Sequence, residues 1–160
     1  MSRRMTLPAI ELSVLAFWLG AAVLTAAVVA PAAFAVLPSR TLAGNIVGQV
    51  LPVIFYSGIV VGVLVIGLET ADNDGWHWDT PVVFGALVAV ACAVAQFIVG
   101  SRIESVRMRI GGSVDALAPG DPLRATFGRL HGVSVGLMGI AMLAAAVALI
   151  SIGRGLAERR

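Results

Sequence analysis

Lysine is missing from this chain altogether, and charge of either sign is scarce. Only 12% of the 160 residues are charged, with 11 basic residues, all arginine, against 9 acidic ones. Soluble domains carry about twice that charged fraction. With 59% hydrophobic residues and a mean hydropathy of +0.97, the composition belongs in lipid. We read the all-arginine usage as a compositional bias, in keeping with the abundant alanine and glycine. A formal charge of +2 without a basic stripe and interleaved aromatics excludes nucleic acid as a partner. The single cysteine, Cys92, lies inside an apolar run, which excludes a disulfide framework and a paired-cysteine metal site. No nucleophile elbow, phosphate loop, HExxH pair or histidine-paired carboxylate is present, so the chain reads as non-enzymatic rather than catalytic.

What remains is long apolar runs. The sequence predicts an all-α, polytopic four-helix transmembrane bundle, a single domain over 1–160 with spans at 10–37, 42–68, 82–99 and 132–152. Each run reaches or approaches the roughly 20 residues that cross a ~30 Å hydrocarbon core. Pro31 is expected to kink or end the first helix. Ser2-Arg3-Arg4 resembles a twin-arginine signal, but the apolar stretch outruns an ordinary signal core, so the first span is expected to stay uncleaved. Ile103, Val106 and Ile110, set among Arg102, Glu104, Arg107 and Arg109, predict an amphipathic extension of the third helix. Gly111-Gly112, Pro119-Gly120 and Pro122 then break it. Gly44/Gly48, Gly58/Gly62, Gly85/Ala89/Ala93 and Gly132/Gly136 are small residues at four-residue spacing, which permits close helix approach in lipid.

Four spans put the termini and the 69–80 loop on one face of the membrane and the 100–131 connection on the other. Five arginines on the first face oppose six on the second, a small margin that favours a cytoplasmic connection in a bacterial-type inner membrane. His77 and His131 then lie on opposite faces and cannot share a haem or a metal ion. The acidic 69–80 loop, with a Trp76/Trp78 pair suited to the interface, reads as solvated, because its Asp-Asn-Asp-Gly core fails the EF-hand frame. Glu11 is expected at the interface.

Polar residues gather on the His131 side. Asn45 and Gln49 stand one turn apart in span two, Gln96 lies at the matching end of span three, and His131, Ser134, Met138 and Met142 form one stripe on span four. These residues read either as interhelical hydrogen bonds with methionine filler, or as a half-site for a small solute, a soft metal or haem iron. A haem is the weakest fit, because His131 and its candidate methionine partners share a helix face and cannot straddle one iron. No cofactor or metal is assigned. The lipid bilayer is the expected partner, together with a second copy of the chain or a larger membrane complex. The first expectation is therefore a structural or accessory bundle, and the second a carrier built on the His131 half-site.

The chain resembles the transmembrane protein 205-like family, small four-span membrane proteins of unknown biochemical function. The resemblance rests on Trp18, Gly20, Pro31, Phe34, Pro38, Gly44 and Pro52, and above all on Phe127, His131, Gly132 and Ser134 at the entry to span four. The family pattern places an asparagine seven residues after the histidine, where this chain has Met138. The resemblance implies a fold and a membrane location. Through the association of vertebrate relatives with metallodrug tolerance it also implies transport or trafficking.

Overall fold

Helices account for all regular structure among the residues described, 3–72 and 78–158, in a computed structural model. The first span is α1 (Arg3–Leu24), a π-helical turn (Thr25–Val29) and α2 (Ala30–Val36). The second is α3 (Arg40–Asp72). The third is α4 (Thr80–Ala93), a second π-helical segment (Val94–Gly100) and α5 (Ser101–Ile110), and the fourth is α6 (Pro122–Glu158). Four helices are long and apolar enough to cross a membrane, covering Leu7–Val36, Arg40–Ala71, Thr80–Ile110 and Pro122–Glu158. They close a ring in which α3 packs on α4, α4 on α6, α6 on α1 and α1 on α3.

Local chemistry explains most departures from the expected boundaries. Pro31 does not end the first helix. It lacks the N–H that would close an α-turn onto residue 27, and the turn just before it widens, with Ala30 N–H donating to the Thr25 carbonyl. The amphipathic extension forms as expected over Ser101–Ile110, buries Val106 and stops at Gly111, whose φ of 64° suits a residue without a side chain. The fourth span begins ten residues before the expected Gly132. Asp121 Oδ1 accepts the Leu123 N–H at 2.7 Å, and Pro122 occupies the first turn, where a missing N–H costs nothing. Pro122 therefore starts a helix instead of breaking one. At 37 residues α6 is roughly 55 Å long, well beyond a ~30 Å hydrocarbon core, and it packs beside α5 as well as against the other spans.

The core draws residues from all four spans, and small residues bring the first three into close contact. A Cβ on Gly62 would fall 2.5 Å from the Gly85 carbonyl oxygen and 2.8 Å from the Ala89 nitrogen, so the backbones of α3 and α4 touch there. A Cβ on Gly58 would meet Cys92 Sγ at 2.5 Å and the Trp18 ring at 2.8 Å. Trp18 is 2% exposed and donates its indole N–H to the Ile54 carbonyl at 3.0 Å, tying the first span to the second. Association in lipid relies on such packing and hydrogen bonding, since lipid tails are as apolar as leucine. The Gly132/Gly136 pair behaves differently. Neither glycine has a neighbour within 4 Å of an added Cβ, because this face of α6 looks away from the bundle. Glu11, expected at the interface, is 2% exposed and engaged with a neighbouring group. Other spans cover it, since α1 packs on α6 and α3.

Candidate functional site

A cleft of about 1000 Å³ opens where α3 begins and α5 leaves the bundle. The second π-helical segment forms part of its wall through Ala95, Gln96, Phe97 and Gly100. No proline follows this segment, so the Pro31 explanation does not transfer. Ser101 takes up the backbone groups it disturbs, its hydroxyl donating to the Phe97 and Ile98 carbonyls at 2.8 and 3.0 Å. π-Helical turns inside α-helices occur frequently at functional sites. Tyr56 and Phe97 meet edge to face, with ring centroids 5.7 Å apart, and brace the segment against α3.

Arg107 dominates the polar wall. It lies four residues after Ile103 and three before Ile110, and so sits on the apolar stripe of α5 itself. Its guanidinium donates to the Gly44 carbonyl at 3.3 Å and stands 5.7 Å from the centroid of the Phe127 ring. The room for this comes from α3, where a Cβ on Gly48 would fall 3.3 Å from Arg107 Nη1 and one on Gly44 3.8 Å from Nη2. Phe127 in turn stacks on His131, with centroids 6.4 Å apart and ring planes within 3° of parallel. Arginine, phenylalanine and histidine thus form one stepped wall joining α5 to α6. The segment after α5 is pinned over the mouth by a hydrogen bond of 2.6 Å between the Thr41 and Ser113 hydroxyls, and by Arg124 donating to the Leu117 carbonyl at 2.9 Å.

Of the residues singled out from the sequence, Asn45, Gln96, His131 and Ser134 all line this cleft. Gln49 is exposed on α3 outside the lining, and Met138 is buried in the core. Phe34, Gly44, Pro52 and Phe127 also line the cleft. Trp18 belongs to the core, while Gly20, Pro31, Pro38 and Gly132 are exposed away from it. His131 is exposed and lies ten residues into α6, not at a helix mouth. Among the described residues, Asn45, Gln49, Gln96, His131 and Ser134 make no side-chain hydrogen bond to another helix. His77, Trp76 and the Asn73-Asp74-Gly75 turn lie outside the described residues. Sequence reasoning missed Arg107. Its signal was an arginine inside an otherwise apolar helical stripe.

Residues 13–111 match the domain of unknown function DUF4149, a span that covers α3, α4, α5 and most of the first helix. Comparison with curated proteins and with solved structures brings no match. The Phe127–Ser134 element stands beyond the matched residues. With more than half its length matched, this chain belongs to the DUF4149 family.

Proposed function

We propose that the protein is a non-enzymatic accessory bundle that holds a small amphiphilic solute in the cleft between its second and third spans. The cleft itself carries this reading. Its volume of about 1000 Å³ matches the upper size of ligand sites, roughly 300–1,000 Å³, and its lining divides in the same way. Leu51, Pro52 and Phe55 supply apolar surface, while Asn45, Gln96, Arg107 and His131 supply a few polar groups. The convergence of Phe34, Gly44, Pro52, Phe127, His131 and Ser134 on the cleft supports a kinship with the transmembrane protein 205-like proteins. The soft-metal form of the carrier reading gains no support. His131 and Met138 stand two turns, roughly 10.5 Å, apart along α6, one lining the cleft and the other in the core.

An uncharged photoreactive fatty alcohol tests occupancy of the cleft. Cross-links are expected on Leu51 and Gln96 in excess of those on the lipid-facing Leu143 and Ile150. Labelling that merely follows exposure to lipid would overturn the reading. The open Gly132/Gly136 face favours a second role in self-association, since small residues allow close approach of a neighbouring helix. Gly136→Leu is expected to leave the monomer's melting temperature unchanged and to shift oligomer size. An unchanged size distribution would remove that role.

A further inference from the structure

We infer that the occupant of this cleft is a membrane phospholipid whose phosphate is taken by Arg107. The inference rests on the solute-holding reading above and narrows it to one class of ligand. Arg107 is half-buried, and its partners are a backbone carbonyl and an aromatic face, neither of which neutralises its charge. A guanidinium carries five N–H donors in a planar fork that matches phosphate oxygens, so most of its capacity remains after the single bond to Gly44. Arg40 also lines the cleft but is exposed, so Arg107 is the sheltered cation of the lining. The acidic lining residues, Glu104 and Asp115, are both exposed, where water and salt screen them, whereas Arg107 is more sheltered.

The apolar part of the cleft decides between a lipid and a free anion. Val47, Leu51 and Phe55 line it from α3, and such a surface offers inorganic phosphate nothing. At its edges stand Phe34 and Phe97, which are 47% and 58% exposed on the outer surface of the bundle, so the cleft communicates sideways with lipid. Depth agrees as well. The polar wall lies where α3 starts at Arg40 and the charged α5 succeeds the apolar third span, which is headgroup level for an amphiphile whose chains run down the apolar wall. Gly44 and Gly48 preserve the space in which the guanidinium meets that headgroup.

The test uses the full-length chain, delipidated in a neutral detergent, with binding followed by native mass spectrometry. The probes are dioleoyl phosphatidylglycerol, dioleoylglycerol and sodium phosphate. One phosphatidylglycerol per chain is expected, with dioleoylglycerol at least about tenfold weaker, as the loss of a charge-assisted bond implies. Sodium phosphate alone is expected not to compete. Arg107→Gln should weaken phosphatidylglycerol at least about tenfold and leave dioleoylglycerol unchanged. Asn45→Trp, which fills the cleft from an exposed position on α3, should abolish binding of both lipids. Competition by sodium phosphate would overturn the lipid assignment by making the site one for a free anion. Equal binding of the two lipids or an unaffected Arg107→Gln variant would overturn the phosphate assignment while leaving the cleft as a solute site. Unchanged lipid binding by Asn45→Trp would overturn both, because the lipid would then sit elsewhere. If Arg107→Gln fails to fold, the comparison of the two lipids on the wild-type chain decides.

Discussion

The second and third spans meet twice with opposite outcomes. Around Gly62 and Gly85 their backbones touch, whereas around Gly44 and Gly48 they stand apart and a guanidinium occupies the gap. The spacing of small residues is the same at both places. What differs is the residue opposite. Gly62 faces another glycine and Ala89, so close approach gains van der Waals contact that lipid could not supply better. Gly48 faces Arg107, whose side chain needs room and whose charge needs a polar setting. Small residues at four-residue spacing therefore permit either closure or accommodation, and the partner helix decides which.

The largest effect should come from breaking the closed end. Gly62→Leu forces a branched side chain against the Gly85 carbonyl and the Ala89 nitrogen, backbone atoms that cannot swing aside. Overpacking of this kind costs roughly 1–3 kcal/mol and occasionally more, so the variant should melt far below wild type in detergent, followed by circular dichroism. A wild-type melt would show that α3 and α4 are free to separate.

Next in size is the bond from Trp18 to α3. Trp18→Phe keeps most of the ring but removes the indole donor to the Ile54 carbonyl, at a cost of about 1 kcal/mol in the same melt. No change would mean that packing alone secures the first span. Smallest is Gly48→Ala at the open end. Its Cβ would press on Arg107 Nη1 at 3.3 Å, the far end of a flexible side chain that can give way. Stability should therefore change by less than about 0.5 kcal/mol, helped by the better helix propensity of alanine. A loss as large as that of Gly62→Leu would erase the distinction between the two ends.

Much of the fold was legible because hydropathy over 20 or more residues overrides local detail. The amphipathic arm after span three was equally plain, with apolar residues at helical spacing and a Gly111 stop. Proline was ambiguous. Pro31 widens a turn and Pro122 opens a helix, and both outcomes depend on neighbours, in the latter case the Asp121 cap. The early start of α6 moved His131 from a supposed mouth into the third turn of a helix. Asn45, Gln96, His131 and Ser134 were picked out by polarity alone and do line one cleft. Gln49 and Met138 were grouped with them by helical spacing, yet spacing fixes only the face of one helix and not what lies across from it. The burial of Glu11 was hidden for the same reason, since its cover comes from other spans. Arg107 was grouped with the other charged residues of the arm although its position on the Ile103–Ile110 stripe pointed inwards.

The most direct measurement compares two sites about two turns apart on the third span in a Cys92→Ala background. Gln96→Cys lines the cleft, and Ala89→Cys sits against Gly62. Treated with a small methanethiosulfonate reagent in folded protein, Gln96→Cys should react rapidly and Ala89→Cys should stay protected. Phospholipid added beforehand should slow only the first. Equal reaction rates, whether both fast or both negligible, would contradict a bundle closed at one end and open at the other.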